Sequence, residues 1–200
     1  MGFLGKLFAK RKDAVIVVSG LPRSGTSMMM RMLEGGGVPI QQDGIRAPNE
    51  DNPKGYYEYE RVKKLPEGDV AWLSEAQGKA VKVIAALLMY LPDTYTYQVL
   101  FMRRNMEEIL ASQRRMLVRR GEDPDAVDDG EMARLFEKHL SQVYGWMQRQ
   151  ANMTWLDVDY NEVLTDPSTS AKRVQAFLDL PLDIEAMAAV VDPNLYRQRA

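Results

Sequence analysis

The feature that most constrains this chain is a five-residue apolar run, Ala14 to Val18, that leads into Ser19-Gly20-Leu21-Pro22-Arg23-Ser24-Gly25-Thr26-Ser27. A helical pattern follows over Met28 to Glu34 and meets a stop at Gly35-Gly36-Gly37. A strand, a tight glycine-bearing turn and a helix in succession gather backbone N–H groups and a helix N-terminus around one point. That arrangement cradles a phosphate or another anion.

The rest of the chain supplies the sheet to which such a unit belongs. Apolar runs at 80–84, 97–102 and 154–158 read as buried strands, and Val38-Pro39-Ile40 as a shorter one. Between them, helical patterns run through Tyr59, Val62 and Leu65, over 70–76, and in a turn over 87–92. A further helix begins after Asn105 with Ile109, Met116 and Leu117 facing inward. Next is a long amphipathic helix over 131–150 on Met132, Leu135, Phe136, Leu140, Val143 and Met147. Asp166-Pro167-Ser168 opens another helix, and a short one covers 183–191. Apolar strands alternating with helices predict a three-layer α/β/α fold with a central, mostly parallel sheet, as in P-loop NTPases. A basic and apolar lead-in is expected over 1–13 and one domain over 14–200. In the lead-in, Phe3, Leu4, Leu7 and Phe8 alternate with Lys6, Lys10, Arg11 and Lys12. So little apolar area supports at most a weak contact with a membrane or a partner.

Composition removes several kinds of chemistry. The chain has no cysteine and one histidine, His139, which leaves no disulfide, thiolate nucleophile or histidine-rich metal site. A net charge of −2 argues against general nucleic-acid binding. No apolar run approaches the ~18 residues of a membrane-spanning helix, and a cytoplasmic location is expected.

The loop spacing, Gly20, four residues, Gly25 and then Thr26-Ser27, matches a nucleotide-binding P-loop in its glycines and final hydroxyl. Thr26 stands where that motif has the lysine that meets a triphosphate, which counts against a kinase or NTPase. Arg23 brings a guanidinium inside the loop instead, suited to bidentate contact with an anionic group. Pro22-Arg23-Ser24-Gly25-Thr26-Ser27 resembles the 5′-phosphosulfate loop of sulfotransferases, which use 3′-phosphoadenylyl sulfate (PAPS) as donor and leave adenosine 3′,5′-bisphosphate (PAP). A second signature of that family is an arginine at a strand end with a serine eight residues on, and Arg104 and Ser112 match it. Asp159 to Pro167 resembles the family's late Tyr-Glu-Asp-Leu-Leu-x-Asp-Pro segment. The tail arginines Arg197 and Arg199 stand near where the family returns a basic segment to the 3′-phosphate.

The resemblance implies roles residue by residue. Arg23, Ser24, Gly25, Thr26 and Ser27 would hold the 5′-phosphate, and Arg104 and Ser112 the 3′-phosphate, with Arg197 and Arg199 in support. A family lysine at a central strand end corresponds to Lys82, with Lys79 as competitor, and no metal is needed. The catalytic histidine of cytosolic members has no counterpart, and His139 reads as structural. A carboxylate after the first helix is the expected base. Glu58, at a loop-to-helix junction with aromatic neighbours expected to raise its pKa, and Asp43 are the candidates. Glu50, Asp51 and Glu60 lie in the same region. Tyr56, Tyr57, Trp72 and Tyr90 are read as possible acceptor-side aromatics or as core. The acceptor itself is not legible. Two rival readings stay open: a P-loop kinase or NTPase with Asp157 or Asp159 as metal-holding acid, and a catalytically silent PAP- or anion-binding protein.

Overall fold

A computed structural model describes residues 13–47 and 55–192. The lead-in to residue 12, Glu50, Asp51, Arg197 and Arg199 lie outside the described residues. Five strands form one sheet: β1 (Val15–Gly20), β2 (Ile40–Gln41), β3 (Ala80–Lys82), β4 (Tyr97–Arg103) and β5 (Met153–Asp159). Their order is β2-β3-β1-β4-β5, and each neighbouring pair is parallel. The helices are α1 (Thr26–Gly35), α2 (Met106–Arg120), α3 (Asp129–Met147), α4 (Tyr160–Thr165), α5 (Pro167–Leu178) and α6 (Ile184–Ala189).

Side-chain alternation along the strands explains the layering. Ile16 and Val18 of β1 face one side, with Leu100 and Met102 of β4, against the methionine-rich α1 and helices α5 and α6. Val15 and Val17 face the other side with Val99 and Phe101, against Trp72, Leu88, Val143 and Met147. Both faces of the sheet are covered, so β1 and the first six residues of β4 are buried throughout.

Several local expectations are corrected. The second strand is shifted to Ile40–Gln41 because Pro39 has no N–H for a ladder; its carbonyl accepts from Ala80 N at 2.8 Å instead. The pattern after Tyr59 forms 3-10 rather than α-helix, over Glu60–Glu67, with Pro66 inside and Gly68 ending it in the left-handed conformation. A short 3-10 helix covers Ala71–Ser74 and another Ala85–Tyr90. The strand at 80 ends at Lys82, and Ile84 emerges 38% exposed. On α2 the buried face is Ile109, Leu110 and Ser112 rather than a Met116–Leu117 stripe. On α3 only Val143 and Met147 are fully buried and Leu135 is 51% exposed, because only the C-terminal half of this helix reaches the core.

Capping at Asp166 matches the sequence signal, and Asp159 adds a second cap. Asp166 accepts from Thr169 N with Pro167 at the start of α5, and Asp159 accepts from Asn161 N and Glu162 N at the start of α4. Because all strands run parallel, the C-terminal ends of β1, β3 and β4 lie along one edge. That edge carries the loop after Gly20, Lys82 and Arg103-Arg104 together.

Candidate active site

The loop between β1 and α1 is held from below. Gly20 has φ 144°, and a Cβ there would stand 2.7 Å from the Met102 carbonyl, so β1 and β4 exclude a side chain at this turn. Gly25 has φ 104°, and a Cβ there would collide with the Tyr160 ring. Gly25 is also the N-cap of α1, with no side chain capping the helix. The first-turn amides of an α-helix lack i−4 acceptors; Met28 N donates to the Gly25 carbonyl at 2.9 Å, and the amides of Thr26 and Ser27 ahead of it are left for a ligand. Arg23 takes φ 69°, a left-handed backbone that costs a non-glycine residue energy and is met at functional loops.

Arg104 locks the loop to α2. Its Nη1 donates to the Arg23 carbonyl at 3.0 Å, and its Nε donates to Glu108 at 2.8 Å in a buried ion pair. Its guanidinium lies 4.3 Å from the Tyr160 ring centroid. Arg23 in turn donates from Nε to Ser112 Oγ at 2.9 Å. Arg104 and Ser112 therefore meet the same loop residue, one through its backbone and one through its side chain.

Lys82 reaches the loop from β3. Its Nζ donates to Ser27 Oγ at 3.1 Å and to the Tyr56 carbonyl at 2.8 Å. Burial pushes its pKa down to about 8, with Glu58 opposing and Arg46 and Arg23 adding to the shift. Lys79 stands at the other end of the strand and donates to Gln41. Of the two lysines, only Lys82 reaches the loop.

These groups line one cavity of about 410 Å³. Nine of its lining residues are lysine or arginine and one, Glu58, is acidic. Glu58 pairs with Arg46 and approaches Lys63 at 3.8 Å, and Arg46 stacks 3.5 Å from the Tyr56 ring centroid. The expected aromatic surroundings of Glu58 are thus largely cationic. Beyond Glu58 the wall turns apolar through Tyr59, Val62, Ile84, Leu87 and Met116.

Not every candidate reaches the cavity. Asp43 is exposed and holds Ile45 N and Glu60 N, which organises the loop and starts the 3-10 helix at Glu60. Ser24 is fully buried and lies outside the lining, its hydroxyl tucked under the turn beside Gly20. Trp72 belongs to the core, Tyr57 donates to Glu34, and Tyr90 is exposed away from the cavity. Asp157 accepts from Tyr144 and Asp159 caps α4, and neither acid is in the cavity lining. Among the described residues no cluster of three or more His, Asp or Glu is placed to hold a metal, and no helix is long and apolar enough to cross a membrane. His139 sits on α3, its pKa lowered by burial, and takes no part in the lining.

Arg115 and Arg119 on α2, Arg31 on α1 and Arg46 were not among the residues expected at the site. Ser112, Arg115, Met116 and Arg119 form one face of α2 at i, i+3, i+4 and i+7, which helical periodicity from Ser112 would have found. Arg31, one turn after Ser27 on α1, was equally within reach of that rule. Arg46 comes from a loop and had no sequence signal.

Comparison with known proteins bears on this geometry. A sulfotransferase-family model matches residues 54–184, a stretch that contains Glu58, Lys82, Arg104 and Ser112 and begins after the loop. Among solved structures, a sulfotransferase domain from the curacin biosynthetic pathway is similar at TM-score 0.52 and 15% identity. That match covers 90% of this chain and 84% of the other. Sulfotransferase STF9 from Mycobacterium avium is similar at TM-score 0.52 and 16% identity, covering 94% of this chain and 69% of its own. At these identities the two structures speak to the fold, an α/β arrangement of the P-loop type. By sequence, the chain matches none of the curated proteins.

Proposed function

The chain belongs to the sulfotransferase family, and from that premise we propose that it moves a sulfuryl group from PAPS to an acceptor hydroxyl or amine. The observation that carries this reading is the convergence of the Arg23 loop, Lys82, Glu58 and the Arg104–Ser112 pair on one cavity. The residues fit an anionic nucleotide: nine cations face one acid, the α1 helix start is uncapped, and glycine at 25 lets the backbone approach closely. When bound, PAPS supplies an activated sulfuryl group on a doubly phosphorylated leaving group.

The α1 amides, with the hydroxyls of Thr26 and Ser27, hold the 5′-phosphate end. Arg104 and Ser112 receive the 3′-phosphate. Lys82 Nζ and the Arg23 guanidinium stabilise charge that accumulates on oxygen during transfer, in a partly dry site where such contacts are strong. Glu58 takes the acceptor proton, and the wall of Tyr59, Val62, Ile84 and Leu87 orients the acceptor's apolar part.

The test is transfer of label from ³⁵S-PAPS to a panel of sugars, phenols, tyrosine peptides and lipids, with PAP release measured in parallel. Labelled product that disappears in Arg23→Ala is expected. Absence of both labelled product and PAP release above the Arg23→Ala control overturns the reading. One observation favours a second reading, a PAP-binding protein without transfer: Glu58 is held by Arg46 and Lys63. That protein would bind PAP and transfer nothing.

A further inference from the structure

Arg31 is a cavity-lining cation whose situation the roles above do not explain. Its Nε and Nη1 are shut off from solvent, and neither has a hydrogen-bond partner among the described residues. Buried charged donors left unmade are costly, so a folded protein retains them where a ligand completes them. The acids nearby do not do so. Glu34 accepts from Tyr57, and Asp192 acts on Arg31 through its charge without hydrogen-bonding it.

Tyr57, Asp192 and Tyr160 are the groups whose charge acts on Arg31. Tyr160 packs on Gly25 of the loop and carries Arg104 over its ring. Arg31 therefore stands on the nucleotide side of the cavity. It follows Ser27 by four residues, on the same face of α1, and helical side chains lean back toward the N-terminus, here toward the loop.

We propose that Arg31 is a further nucleotide-binding residue, donating from Nε and Nη1 to an acceptor atom of the nucleotide, a phosphate oxygen or a purine nitrogen. The proposal rests on the PAPS reading of the cavity. It gives the guanidinium the partner that the described residues lack and adds a contact beyond Arg23, Arg104 and Ser112.

The test is titration calorimetry with PAP and with adenosine 5′-phosphate on the wild-type protein, Arg31→Met and Arg31→Lys. Melting of each ligand-free protein is followed alongside. Methionine keeps the length of the side chain and removes the unpaired charge, so ligand-free Arg31→Met should melt at or above the wild-type temperature. Its PAP affinity should fall about tenfold or more, the range for a lost charge-assisted hydrogen bond. Arg31→Lys should keep part of it. A loss for PAP alone assigns the contact to the 3′-phosphate, and an equal loss for both ligands assigns it to the rest of the nucleotide. PAP affinity in Arg31→Met within twofold of wild type overturns the role of Arg31 and leaves the PAPS reading standing. A wild-type protein that does not bind PAP overturns both.

Discussion

Arg104→Ala is expected to damage the fold as well as the site. Arg104 and Glu108 form an ion pair with side chains 7% and 2% exposed, so neither charge is shared with bulk water. Removing one partner of such a pair typically costs about 3–5 kcal/mol, because the other charge stays buried. Asn161 still donates to Glu108 at 3.2 Å, which puts the expectation near the lower end. The loop also loses its tie at the Arg23 carbonyl, a further ~1 kcal/mol. For a chain of this length each kcal/mol moves the melting temperature by about 2–4 °C, so a loss of about 4 kcal/mol gives a drop of about 8–16 °C. Arg104→Met combined with Glu108→Leu removes both charges and should recover about 2 kcal/mol or more of the loss. Differential scanning calorimetry of the ligand-free proteins measures all three. A drop under ~2 °C in Arg104→Ala, or a double variant no more stable than the single one, refutes the assignment of Arg104 as half of a buried pair.

Three further outcomes are expected. The folded pKa of Lys82, about 8, lies below its unfolded value of 10.5. Folding therefore disfavours its charged form: the cost is present in full below pH about 8, and stability from this group rises between about 8 and 10.5. Lys82→Met should thus raise the melting temperature at pH 7 while abolishing transfer, and wild-type kcat/KM for PAPS should fall as pH rises past about 8; a flat profile to pH 9.5 would count against a charged Lys82 in the reaction. Gly25→Ala places a side chain at φ 104° against Tyr160; it should cost on the order of 2 kcal/mol or more by denaturant unfolding and weaken PAP binding at least tenfold. Glu58→Gln should keep PAP affinity within about twofold in calorimetry and cut the transfer rate on the order of a hundredfold or more, as for loss of a general base.

What the sequence shows and what it hides divide along physical lines. The strands, the glycine loop and the cap at Asp166 are local features, set by alternation, backbone freedom and hydrogen bonds to nearby amides, and these were legible. The choice of Lys82 over Lys79 was legible in principle as well. In a parallel sheet the strand ends that follow Gly20, Lys82 and Arg103 share one edge, and Lys79 lies at the opposite end. The 3-10 form of Glu60–Glu67 was harder to see, because its apolar spacing resembles that of an α-helix until Pro66 and Gly68 are weighed. The exposure of Leu135 depends on how far α3 extends past its neighbours, and amphipathic spacing carries no record of that. The separation of Glu58 from Asp43 was hidden for the same reason. Both are loop acids in sequence, and only the folded chain sends one to the cavity and the other to the amides of Ile45 and Glu60.

A cavity built for PAPS should prefer a nucleotide phosphorylated at both its 5′ and 3′ ends. Titration calorimetry of the wild-type protein with PAP and, separately, with ATP and Mg²⁺ tests this most directly. Saturable one-to-one binding of PAP, with ATP–Mg²⁺ at least tenfold weaker, is the predicted result. Tight ATP–Mg²⁺ binding without PAP binding would contradict it.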